Sequence, residues 1–347
     1  MRPRYGVNVR NAAATLVGFA IAAAVLLGLA YLVGTGEILD AISRANPVRV
    51  VMVPLAIAAW ICVWGASLRV ILAAVGVEVS VVDAVLVHAG AAFANHISPF
   101  GQAGGEPIAA WLVTETSDAE FERALAAMTS FDTINVVPSL LFALIGLGYY
   151  AVQAVLIQRI QYLAVGLVVL TVALPVLGAL AWRNRDALER RLVGVVVPPL
   201  RFLDRVIPRF SMPGRDAVER TVEEFFVSIE RIATDRRRLV IALVLSAAGW
   251  ALQAAGLWFA FWALGIVIPP YIPLFVVTLG AFAGALPTPG GLGGVETLQI
   301  TLLVATTTVL APTITAAVAI SRVGGFFFTT SVGAAAIGIL KVRTKGV

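Results

Sequence analysis

The chain is poor in almost everything a soluble enzyme relies on. Its 347 residues include one cysteine and two histidines, and only 13% are charged. A single cysteine, Cys62, excludes an internal disulfide and any cysteine-rich metal site. Soluble domains carry roughly a quarter charged residues, so the scarcity of charge excludes an ordinary water-facing surface. No G-x-x-x-x-G-K-[ST] string is present to cradle a nucleotide, and no H-E-x-x-H, G-x-S-x-G or Asp-x-Asp pair to support hydrolysis or sugar transfer. Neither a cofactor nor a metal is expected, no residue stands out as catalytic, and the chain is not expected to be an enzyme.

What the chain does have is apolar length: 60% of its residues are hydrophobic and its mean hydropathy is +0.94. Runs near 12–33, 48–74, 120–149, 160–182, 239–264 and 312–340 are each long enough to cross about 30 Å of hydrocarbon as a helix. The first follows Arg2, Arg4 and Arg10, like a secretory leader, but is too long for one and reads as an anchored span. Two more apolar stretches, 80–116 and 271–311, are interrupted by Ser98-Pro-Phe-Gly-Gln-Ala-Gly-Gly-Glu106-Pro107 and Pro287-Thr-Pro-Gly-Gly-Leu-Gly-Gly-Val-Glu296. Proline and glycine in that density end a helix, so each stretch reads as two short helices meeting at a turn. The expected architecture is an all-α polytopic membrane protein, a single integral membrane domain over 1–347. It has about six full spans plus two re-entrant hairpins.

Positive residues gather on the cytoplasmic side of a membrane protein and so test this layout. Of 25 arginines and lysines, 3 fall in 1–11, 13 in 183–238 and 3 in 341–347. Six crossings and two hairpins put all three segments on one side, leaving Arg44, Arg49 and Arg159 on the other. Both termini are then cytoplasmic in the cell membrane, and the two hairpins enter from opposite faces. The net charge of +5 follows from this asymmetry, and nucleic acid is not an expected partner. The polar insertion 183–238 has too few apolar residues for a core of its own. It reads as amphipathic helices, with Val218, Val222, Phe225, Ile229 and Ile232 on one stripe, which fit an anionic leaflet, a cytoplasmic partner or the protein's own bundle.

An offset of 190 residues superposes the two glycine turns without a gap: Pro99, Gly101, Gly104 and Glu106 match Pro289, Gly291, Gly294 and Glu296. The same offset places Gly90 on Gly280 and Asp132 on Arg322. Repeat half one is then about 12–149 and half two about 160–340, and three crossings between the copies make the repeat inverted, an arrangement found in transporters. Unpaired amides at the start of the helix after each turn carry partial positive charge and suit an anion such as phosphate. The same residues also fit a purely structural role, the glycines for close packing and Glu106 and Glu296 as caps of their own helices. Asp132 and Arg322 lie deep in their spans, where a charge needs a partner. Two roles fit them: a permanent ion pair, or Arg322 on a lipid phosphate with Asp132 as its resting partner or a proton carrier. The substrate-binding candidates are Gly101, Gly104, Glu106, Asp132, Gly291, Gly294, Glu296 and Arg322. His96 fits local hydrogen bonding or a proton relay beside the first turn, and the seven tryptophans mostly fit an interfacial belt.

Gly104-Gly105-Glu106-Pro107 and the second turn, with Arg322 in the following span, resemble the lysylphosphatidylglycerol synthase transmembrane-region family over about 12–340. The resemblance implies a flippase-like protein that moves aminoacylated phospholipids between leaflets. The family often has arginines where this chain has Ala109, Ala110 and Ser130. Only seven residues follow the last expected span, so a stand-alone member without the aminoacyl-transferase domain is expected. The function expected is a lipid translocase for an anionic or aminoacylated phospholipid, or for a lipid-linked precursor. The alternatives are a membrane-embedded enzyme or accessory subunit acting on lipid-linked glycans, and an ion-coupled small-solute transporter.

Overall fold

A computed structural model describes residues 9–98, 102–153, 183, 215–285 and 288–345, which form helices and the connections between them. The first apolar run is α1 (Val9–Val33), which ends at Gly34. There the backbone takes a φ of +106°, and the chain bends by 90° into α2 (Thr35–Ser43). The expected spans near 48–74, 120–149 and 239–264 are α3 (Pro47–Ala74), α6 (Phe121–Gln153) and α8 (Arg236–Ala263). The last span, Ala311–Thr344, is built from α11 (Ala311–Val318), a π turn at Ala319–Val323 and α12 (Gly324–Lys345). The expected span near 160–182 lies outside the described residues.

Local chemistry sets where these helices begin. Asn46 accepts from the Val48 and Arg49 amides ahead of α3, with Pro47 as its first residue, and Asp235 accepts from the Arg238 amide at the head of α8. Each satisfies amides that would otherwise be left without partners at a helix start.

The centre of the bundle is the antiparallel pair of α3 and α8. Asn46 N donates to Ala263 O at 2.8 Å, Trp64 Nε1 to Ser246 O at 3.2 Å, and Arg238 Nη1 to Ala73 O at 3.0 Å. Contacts in this reversed order fix two ends of the molecule. One, the basic end, holds Ala74 and Arg236; the other holds Pro47 and Ala263.

Both interrupted stretches are hairpins, each returning to the end from which it starts. The first consists of α4 (Val81–Ile97) and α5 (Gln102–Thr116). At its start Asp83 pairs with Arg343, and Arg69 reaches the Val79 carbonyl. Beyond its end, Glu122 and Arg123 pair with Arg220 and Glu224 of α7 (Arg215–Thr234), whose Arg231 reaches Val75 O. Both termini of this hairpin are therefore at the basic end. The second consists of α9 (Tyr271–Phe282) and α10 (Gly294–Thr306). Tyr271 packs on Tyr149 near the end of α6, and Tyr150 donates to Ala305 O, so both of its termini lie at the opposite end. Arms of 12 to 17 residues reach about 18–25 Å, enough to enter a bilayer but short of a crossing with its interfaces.

The described part of the insertion, α7, docks on the protein itself. Ile232 is 2% exposed and packs with Ile71, Leu72 and Val75 at the end of α3, while Phe226 and Ser228 are also buried. Residues 184–214 of the insertion lie outside the described residues.

Candidate substrate cavity at the hairpin tips

The two hairpin tips meet inside the bundle. The His96 ring, at the end of α4, stacks on Phe326 of α12 with centroids 4.3 Å apart, and its Nδ1 is 2.9 Å from Thr330 Oγ1. Gly290, in the second turn, fits beneath it: a β-carbon there would stand 3.0 Å from both the His96 and Phe326 rings. This explains the glycine-rich sequence of the second turn. Gly290, Gly291 and Gly293 have φ of +60°, +68° and +87°, which side chains disfavour, and Gly291 also packs against the Gly284 backbone.

The turn leads into α10 through a reciprocal arrangement. The Gly293 amide donates to Glu296 Oε2 at 2.6 Å, and Arg322 Nε donates to Glu296 Oε1 at 3.0 Å. Arg322 Nη2 also donates to the Gly290 carbonyl at 3.3 Å. Glu296 is 2% exposed, whereas Arg322 retains 28% of its side-chain surface. Glu296 thus caps its own helix and also holds Arg322, so the partner of Arg322 is Glu296 and not Asp132. Arg322 lies on the π turn, a local widening of the helix that re-aims its side chain.

In the first half the pairing has the same positions and different charges. Glu106, half-buried in the first turns of α5, and Asp132 of α6 lie within hydrogen-bond reach of each other. Glu106 Oε2 is buried with no hydrogen-bond partner, and Asp132 keeps accessible surface despite its depth in the bundle. Among the remaining candidates, Gly104 falls in the first turn of α5 and Gly294 begins α10, whereas Gly101 lies outside the described residues. Gly90 and Gly280 serve packing: a β-carbon would collide with Leu112 at the first and with Gln299 at the second.

Glu106, Asp132 and Arg322 all line one cavity of about 210 Å³ between the tips and the α3–α8 pair. Much of its wall is formed by residues that no sequence motif singles out. Trp60, Trp64, Trp250, His88 and Phe131 form an edge-to-face cluster with centroids 5.3 to 5.9 Å apart, so these three tryptophans are internal and not interfacial. Trp60 and Trp250 are themselves related by the 190-residue offset, a signal that the sequence contains. Six lining residues carry buried polar atoms without a partner: Trp60 Nε1, His88 Nε2, Asn95 Oδ1, Glu106 Oε2, Gln253 Nε2 and Gln299 Oε1. Buried polar groups are almost always satisfied, so such a concentration marks a surface built to meet water or a polar ligand. Among the described residues no three acidic, histidine or cysteine side chains converge to hold a metal ion.

Short helices entering from opposite ends to enclose a polar cavity define the class: an α-helical integral membrane protein with opposed re-entrant hairpins. The chain belongs to the family of the lysylphosphatidylglycerol synthase TM region, whose model matches residues 15–333. It is similar to two UPF0104 membrane proteins of Methanothermobacter thermautotrophicus. One is 28% identical over 337 residues, covering 93% of this chain and 92% of the relative; the other is 26% identical over 338 residues, covering 94% and 95%. A UPF0104 membrane protein of Pyrococcus horikoshii is 23% identical over 220 residues, 61% of this chain and 64% of its own length.

Proposed function

We propose that the protein is a lipid translocase that carries the headgroup of an anionic or aminoacylated phospholipid through the cavity while the acyl chains remain in the bilayer. One observation carries this reading. The cavity where the two opposed hairpins meet is lined by a guanidinium, two carboxyl groups and several residues with unpartnered polar atoms, deep in an apolar bundle. A phosphate competes with Glu296 for Arg322. Amino groups of an aminoacyl headgroup meet Glu106 and Asp132, which accept but do not donate when ionised. The family match to a lipid-modifying enzyme's transmembrane region supports a lipid cargo.

In this reading the protein performs no covalent chemistry. The basic end faces the cytoplasm of the cell membrane, since positive loops are retained there, and both termini lie on that side. Without a nucleotide-binding string, an ion gradient or the lipid's own gradient drives transfer.

The test is transfer of labelled lipid between leaflets of proteoliposomes, using phosphatidylglycerol, an aminoacyl form of it and a zwitterionic control. Headgroup-dependent transfer that Arg322→Ala abolishes, and that Arg44→Ala at the far surface leaves intact, supports the translocase. Transfer no faster than in empty vesicles for every lipid overturns it, and moves the cargo to a small solute or a lipid-linked glycan precursor.

A further inference from the structure

The internal repeat shows what the first half lacks. Glu106 and Glu296 occupy equivalent places, as do Asp132 and Arg322, and each glutamate faces its own half's mid-span residue. In the second half the meeting is a carboxylate with a guanidinium, whose charges cancel within the chain. The first half brings two carboxyl groups together in the same arrangement. The positive charge that Arg322 supplies permanently in one half must come from outside the chain in the other.

We propose that the Glu106–Asp132 pair is a proton-binding site that couples lipid movement to a proton gradient. The coupling rests on the translocase reading; the site rests on the pair itself. Two ionised carboxylates present only acceptors to each other, so a hydrogen bond between them requires a proton that one donates to the other. Binding adds one proton to a carboxylate oxygen and breaks no other bond. Among the described residues no third acidic, histidine or cysteine side chain joins the pair to hold a metal ion. His88 and Gln299 are 5% and 3% exposed, line the same cavity, and each carries a polar atom with no partner.

The titratable and charged groups facing the cavity are few. His88 and His96 come from α4, and Arg322 from the π turn with Glu296 behind it. The faces of α3, α8, α9 and α12 that line the cavity contribute tryptophans, glutamine, small residues and Thr329, but no charge. Among the described residues the pair is therefore the one place on this wall where a proton changes the charge of a carboxyl group lining the cavity. Loading it from one side and emptying it to the other ties the charge of the site to the occupancy of Arg322, which lines the same cavity, by the headgroup.

Two measurements on the full-length protein in bilayers test this. The first is the infrared carbonyl stretch of protonated carboxylic acid across the neutral pH range. It is expected in the wild type and lost in the Glu106→Gln/Asp132→Asn double variant; an unchanged band in that variant overturns the site. The second is the steady-state distribution of labelled lipid under an imposed pH gradient. One proton per lipid gives about a tenfold leaflet asymmetry for one pH unit, the ratio equivalent to 1.4 kcal/mol. The asymmetry should vanish in Asp132→Arg, which writes the second half's pair into the first, and in Asp132→Asn. Transfer in the wild type that ignores the pH gradient, or asymmetry that survives in both variants, overturns the coupling while leaving the translocase standing. No transfer at all in any condition defeats the translocase reading and with it the coupling, and the infrared band then decides the proton site separately.

Discussion

Arg322 and Glu296, joined at 3.0 Å, are unequally buried, and the inequality sets what each contributes. Removing the guanidinium strands a carboxylate that is 2% exposed, whereas neutralising the carboxylate leaves an arginine that still reaches the cavity and the Gly290 carbonyl. An uncompensated buried charge costs about 3–5 kcal/mol. Arg322→Ala is therefore expected to destabilise the protein by about that much, Glu296→Gln by distinctly less, and the double variant by less than the sum. Unfolding of the three variants in lipid or detergent checks the order. Equal losses for the two single variants contradict the assignment.

The direction in which each hairpin enters is open to chemical labelling. Glu78 and Asp118 flank the first hairpin and are exposed; Val267 and Thr308 flank the second and are exposed. In a background with Cys62→Ala, single cysteines at 78 and 118 should react with an impermeant thiol reagent from one side of the membrane. Those at 267 and 308 should react from the other side. Opposite accessibility of 78 and 118 would make the first stretch a single net crossing and dissolve the meeting of the tips.

Contact between the tips can be perturbed by one methyl group. Gly290→Ala forces a β-carbon to 3.0 Å from His96 and Phe326 and strains a backbone at φ +60°. Overpacking of this kind costs about 1–3 kcal/mol. The expected outcome is lower thermal stability with an added loss of lipid transfer, because the substitution disturbs both hairpins at once. Gly338→Ala, where a β-carbon meets nothing within 4 Å, is the matched control and should lower neither.

Much of this arrangement is legible in the amino-acid sequence, for definite reasons. Glycine and proline interrupt 80–116 and 271–311 so densely that no continuous helix survives, and the 190-residue offset makes Asp132 and Arg322 counterparts. Pairing is harder to read. Glu296 reaches Arg322 across 26 positions only because the turn holds three residues at positive φ and a π turn rotates the arginine toward it. Single polar residues in apolar helices, such as His88, Gln253 and Gln299, resemble packing residues until neighbouring helices gather them along one cavity. The internal tryptophans pass for interfacial ones because a tryptophan near a helix end and one a turn or two deeper look alike in a hydropathy pattern.

The insertion that precedes α8 gives the last prediction, because its amphipathic stripe has two possible partners with opposite consequences. In the structure Ile232 of α7 is 2% exposed among Ile71, Leu72 and Val75, and Arg231 and Arg238 donate to Val75 O and Ala73 O at the end of α3. The Ile232 end of the stripe is therefore part of the bundle's core and holds the basic end of α3 in place. Burying an isoleucine in such a site contributes about 2–5 kcal/mol relative to alanine. Ile232→Ala should lower the protein's stability by an amount in that range and expose the α7–α8 junction to protease. If α7 instead lay on the lipid surface, the same substitution would weaken vesicle binding of the isolated segment and leave the stability of the whole protein unchanged.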